Sequence, residues 1–145
     1  MQRYTPNSNA DLIHPLLGSW ASLMDLGRKG DAHLIESLAN DILGAGQFES
    51  AIDNMLEGVG IEDDHNKGLA KDGFLRIAFG ERVAVATKEE KREMAVEYLV
   101  DLAAMLLGMK RAGLEERVGE VGECLVGAEV FEAKVVAKVE ELYED

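Results

Sequence analysis

Thr87-Lys88-Glu89-Glu90 opens the longest helical pattern in the chain, and that pattern constrains the fold more than any other feature. A threonine followed three residues later by glutamate is a capping box: the hydroxyl caps the third residue's N–H and the glutamate reaches back. From residue 88 to about residue 110, Ala95, Tyr98, Leu99, Leu102, Met105, Leu106 and Met109 form one stripe. Val96, Val100, Ala103 and Leu107 widen it until the helix is apolar nearly all round. Such a helix is covered on most sides, so it belongs at the centre of a fold. A chain of 145 residues fits a single domain, 1–145, with a polar lead-in over 1–14.

The flanking segments supply the cover. Pro15 suits a first helical turn, and Leu16, Leu17, Trp20, Leu23 and Met24 recur at helical spacing before Gly27. Asp31 reads as an N-cap ahead of Leu34, Ile35, Leu38, Ile42 and Leu43. A third helix carries Phe48, Ile52, Met55 and Leu56 and ends at Gly58. Two more follow the long helix, over about 114–126 and 128–143, the first weakened by Gly119 and Gly122.

Between the third helix and the long one the period changes. Residues 58–73 are polar and glycine-rich. Then two β-prone runs, Phe74 to Phe79 and Arg82 to Thr87, flank Gly80-Glu81, the pattern of a hairpin with a type II′ turn. Both faces of that hairpin carry apolar residues, and a lone hairpin is marginal in water, so both call for cover. The expected class is α+β, predominantly α: an orthogonal bundle of about six helices with one hairpin inserted near residues 74–87.

Net charge is −13, which argues against nucleic acid and anionic membranes as general partners. The distribution is uneven. From His65 to Arg92, seven cations (Lys67, Lys71, Arg76, Arg82, Lys88, Lys91, Arg92) meet four acids, the only net-positive stretch. These seven are the candidate contact residues for a protein partner, a second copy or a phosphate backbone. No run approaches the ~18 apolar residues of a membrane span, and the N-terminus lacks the apolar stretch of a signal peptide. Cys124 is the single cysteine, so no internal disulfide forms and a reducing, cytoplasmic setting is expected; it reads as a small core residue.

Enzymatic constellations are thin. His14, His33 and His65 lack ligand spacing, and neither a phosphate-binding loop nor a nucleophile elbow occurs. The one candidate set is carboxylate. Glu93, Glu97 and Asp101 are spaced by four on the long helix, and Glu49 and Asp53 by four on the third, an arrangement that can hold Mg²⁺. In this respect the chain resembles the all-α nucleotide pyrophosphohydrolases, which include the type II dUTPases. That resemblance implies Mg-dependent hydrolysis of a nucleoside triphosphate through Glu49, Asp53, Glu97 and Asp101. The family pattern is Glu-x-x-Glu and Glu-x-x-Asp. Here Tyr98 stands three before Asp101 and Ile52 three after Glu49.

A second resemblance rests on element order. Leu23-Met24-Asp25-Leu26-Gly27-Arg28, then Leu34 to Asn40, then a hairpin and a long helix, is similar to the small subunit of archaeal type I-A CRISPR interference complexes. It spans about residues 16–110. It implies a small helical protein with a minor β element, non-catalytic and without cofactor, in an assembly that holds guide RNA and target DNA. The leading expectation is therefore a non-catalytic interaction subunit that makes its contacts through the hairpin and its basic flanks; the alternative is the Mg-dependent pyrophosphohydrolase.

Overall fold

The computed structural model describes residues 9–58 and 87–143. Among the described residues a 3₁₀ turn, Asn9–Leu12, leads into six α-helices: α1 Ile13–Asp25, α2 Lys29–Leu43, α3 Gln47–Gly58, α4 Lys88–Gly108, α5 Ala112–Val126 and α6 Ala128–Tyr143. Among the described residues there is no strand. The expected α+β class is corrected accordingly: the described residues form an all-α fold. Residues 74–86 of the expected hairpin lie outside the described residues, and Thr87 serves as the cap of α4. The physical reason lies in the described segments, whose apolar residues recur at helical spacing, as Ile35, Leu38, Ala39 and Ile42 do in α2, a period that a strand cannot place on one face.

Chain contacts divide the molecule into two compact units, Leu17–Ala95 and Met1–Leu16 with Val96–Asp145. In the mid-chain unit, Leu17, Trp20 and Leu23 of α1 are buried, as are Ala32, Ile35, Leu38, Ala39 and Ile42 of α2 and Phe48 and Ile52 of α3. The rings of Trp20 and Phe48 meet edge to face at 6.1 Å, a geometry worth about 0.5–1.5 kcal/mol beyond burial. Trp20 Nε1 donates to Glu36 Oε1 at 2.8 Å, so the indole's one polar atom is satisfied. Leu34, placed in the α2 stripe by spacing, is exposed. The buried arc is centred on Ile35, Leu38, Ala39 and Ile42, and residue 34 is turned about 100° away from residue 35.

Helix ends follow two devices. After α1, the Gly27 N–H donates to the Met24 carbonyl (3.0 Å) and that of Arg28 to Leu23 (2.9 Å). This is a Schellman motif with Gly27 in the left-handed region, φ 77°. After α4 the same pair of bonds recurs, Lys110 to Leu107 and Arg111 to Leu106. There the left-handed position is occupied by Lys110, φ 62°, not by glycine. Asp31 is not the N-cap of α2. The helix begins at Lys29 after Arg28, and Asp31 sits in its first turn, accepting from Arg28 Nε at 2.7 Å. The capping box of α4 is half as expected. The Glu90 N–H donates to Thr87 Oγ1 at 3.2 Å, but the Glu90 carboxylate accepts from the Thr87 hydroxyl rather than its backbone N–H.

The other unit is built on α4 from Val96 onward. Val96, Leu99, Val100, Leu102, Ala103, Ala104 and Leu106 are all buried, with Leu12 and Leu16, Val118 and Val121 of α5, and Phe131 and Val135 of α6. Leu12, within the expected polar lead-in, is buried in the 3₁₀ turn. Helices α5 and α6 pack together, joined by Gly127 at φ 89°. Two close approaches fix this unit. A Cβ on Gly122 would overlap the ring of Phe131, and one on Gly108 would overlap the ring of Tyr143. Tyr143 also donates its hydroxyl to the Met105 carbonyl at 3.3 Å. No helix among the described residues is long and apolar enough to cross a membrane.

Candidate functional site

Of the seven basic candidates, Lys67, Lys71, Arg76 and Arg82 lie outside the described residues. The other three stand at the start of α4, and two are engaged within the chain. Lys91 Nζ lies 3.6 Å from Asp25 of α1, both side chains largely covered. Arg92 reaches Glu89 one turn back at 3.4 Å. Lys88 is exposed.

The carboxylate candidates fall in two units. Glu49 and Asp53 belong to the mid-chain unit, Glu97 and Asp101 to the other. Asp101 is ion-paired: Lys138 Nζ of α6 lies 3.4 Å from its Oδ1 and 3.4 Å from Glu141. Burial pulls the Lys138 amine toward neutrality, but the charges and hydrogen bonds of Asp101 and Glu141 outweigh it and hold its pKa above the usual value. Tyr98, beside Asp101 and Glu97, is pushed up by burial and by those two carboxylates. Among the described residues no group of three or more His, Cys, Asp or Glu could hold a metal ion. His14 packs edge to face on Tyr98, and His33 pairs with Glu36. Cys124 is exposed, not in the core; it sits off the arc of α5 marked by Val118, Val121 and Gly122.

A different site emerges on the α5–α6 pair. A groove of about 540 Å³ runs between these helices and the end of α4, within the roughly 300–1,000 Å³ typical of binding clefts. Its floor is apolar: Gly119, Phe131, Val135, Val136 and Leu107. Phe131 and Val135 are buried, while Val136 stands 58% exposed and Leu107 37%. Its rim is wholly acidic: Glu115, Glu116, Glu120 and Glu123 from α5 and Glu132 from α6. Spacing explains the convergence. Glu115, Gly119 and Glu123 recur at i, i+4 and i+8, as do Glu116 and Glu120 at i and i+4, so they share one side of α5. Among the described residues no lysine or arginine lines the groove, and no ion pair involves any of the five glutamates. The crowding is felt at Glu115, whose carboxyl is pushed above its usual range by burial first, then by Glu116, Glu123 and Glu132.

The floor contains one unexplained glycine. Gly122 is required by the Phe131 ring, whereas a Cβ on Gly119 would meet only Glu115 Oε1, at 4.0 Å. Its φ is not left-handed either. Neither packing nor backbone conformation within the chain demands glycine at 119. The sequence signal for this groove was present: two glycines inside a helix, interleaved with glutamates. The glycines register there only as weakening, and nothing in the one-dimensional pattern shows which face of α5 would meet α6.

Comparison with protein families, with curated proteins and with solved structures found no match.

Proposed function

We propose that the chain is a non-catalytic interaction subunit of a larger assembly and that it docks a protein partner through the α5–α6 groove. The observation that carries this reading is the groove itself: an apolar floor under a rim of five carboxylates that have no ion-pair partner among the described residues. An apolar cleft with a charged rim is the usual make-up of a recognition surface. The contact surface thereby moves from the basic stretch around residues 67–92, where Lys91 and Arg92 are paired internally, to α5 and α6. The acidic rim disfavours phosphate backbones at this face.

The test has two arms. Purified from its native source under gentle conditions, the chain is expected to run with a stoichiometric partner, and Gly119→Leu is expected to release it. A chain that runs alone, or a Gly119→Leu chain that keeps its partner, refutes the reading. In the second arm the chain is incubated with Mg²⁺ or Mn²⁺ and nucleoside triphosphates. Pyrophosphate release that Asp101→Asn abolishes would replace it with the enzymatic alternative.

A further inference from the structure

We infer that the occupant of the α5–α6 groove is a basic amphipathic helix from a partner protein; this rests on the docking reading above and names the partner's chemistry. Two observations and one general property of basic side chains converge. Among the described residues the rim presents five glutamates and no cation, so charge complementarity calls for lysine or arginine on the occupant. Long basic side chains lay their stems across apolar surface and place their charged heads outside it, matching an apolar floor bounded by carboxylates. Finally, Gly119 is a mid-helix glycine in the floor, and a side chain there would meet nothing nearer than Glu115 Oε1 at 4.0 Å. A mid-helix glycine weakens the helix that carries it. At this position its effect is to keep the floor low enough for a bulky anchor to approach the α5 backbone.

Other occupants fit less well. A divalent cation needs convergent oxygen ligands, and among the described residues no such group occurs. Nucleic acid would bring phosphates to a carboxylate rim. An added strand needs a sheet edge, and no strand exists among the described residues. A helix meets the requirement directly. Its i, i+3, i+4 and i+7 positions supply apolar anchors, and the flanking positions supply the cations.

The experiment is a calorimetric titration of the full chain with three helical peptides of about 16 residues, roughly 24 Å long. The first is amphipathic and basic. The second keeps the apolar positions but carries acidic flanks. The third keeps the basic composition with the apolar positions scrambled. The first is expected to bind at least about tenfold more tightly than either control, a gap of about 1.4 kcal/mol, and to weaken as salt is raised. Gly119→Leu, which fills the floor, and Glu116→Lys with Glu120→Lys, which reverses part of the rim, are each expected to cost about tenfold or more in affinity. Their helical content by circular dichroism should match the parent. Equal binding of the first two peptides, or insensitivity to both variants, overturns the inference. If the acidic peptide binds and Gly119→Leu abolishes it, the groove remains a docking site but its occupant is not basic. If the chain alone proves dimeric and Gly119→Leu makes it monomeric, a second copy is the occupant and the inference fails. If no peptide binds while the native partner still depends on Gly119, the helix is the wrong element. If the native partner is also indifferent to Gly119, the docking reading itself falls.

Discussion

Replacing Gly119 and Gly122 by alanine makes the same chemical change three residues apart on one helix, and the structure assigns the two changes opposite signs. Alanine gains about 0.5–1 kcal/mol over glycine in a helix interior. At 119 that gain is expected in full, because the added methyl meets nothing closer than Glu115 Oε1 at 4.0 Å. At 122 the methyl would overlap the ring of Phe131, which is 1% exposed and has little room to retreat. Overpacking of this kind typically costs about 1–3 kcal/mol, so the net expectation is a loss of about 1–2 kcal/mol. The gap between the variants is then about 2–3 kcal/mol. At about 3 °C per kcal/mol for a chain near this size, they should melt about 5–10 °C apart, with the parent between them. Thermal scans followed by far-ultraviolet circular dichroism check this. Gly122→Ala with Phe131→Leu adds a control: the smaller side chain should cost less in the alanine background than alone, a coupling above about 0.5 kcal/mol. Strict additivity, or a Gly122→Ala chain at least as stable as the parent, refutes the packing argument.

Other expectations concern single sites. Lys110 occupies a left-handed position that costs an L-residue about 1–2 kcal/mol. Lys110→Gly should therefore stabilise by about 0.5–1 kcal/mol, net of glycine's greater freedom when unfolded, seen as a higher urea midpoint at unchanged slope. Lys138, Tyr98 and Tyr143 all hold their protons to higher pH in the folded chain than their usual values of 10.5, 10.0 and 10.0. Above about pH 10 the unfolded chain releases these protons first, so stability should fall as pH rises through that range; a flat urea midpoint from pH 9 to 11 would contradict it. Glu115 follows the same sign in acid. Its raised carboxyl pKa means that stability is lost as pH rises above the usual value of 4.5. Glu115→Gln should thus stabilise at pH 7 and lose that advantage below pH 4.5, and an unchanged difference at both pH values would remove the crowding argument.

Most of the helical framework was legible in the sequence. Helices expected over 88–110, 114–126 and 128–143 appear as Lys88–Gly108, Ala112–Val126 and Ala128–Tyr143, because apolar periodicity and the glycines bounding it act locally. The all-round apolar character of α4 correctly implied burial on most sides. What failed was information that local pattern does not contain. The β-prone residues 74–87 suggested a hairpin and hence an α+β class; residues 74–86 lie outside the described residues, and the described ones form helices without a strand. Leu34 and Cys124 were assigned to core faces because spacing defines a stripe's width only to within one residue on either side. The candidate groove was the largest omission. The glutamates of α5 carry no signal in sequence until α6 places Phe131 and Val135 beside them, and the basic residues that stood out in sequence are, at Lys91 and Arg92, paired with Asp25 and Glu89.

The chain contains one tryptophan and one cysteine, and the fold puts one in each unit. Trp20 is buried against Phe48 with its indole N–H held by Glu36; Cys124 is exposed on α5. The protein thus comes with two non-overlapping optical reporters. Emission from the native indole follows the mid-chain unit, and a dye attached to the lone thiol follows the other. Stopped-flow traces recorded on the two signals would coincide if the units fold in one cooperative step and separate if each folds on its own clock. That distinction needs no engineered mutation.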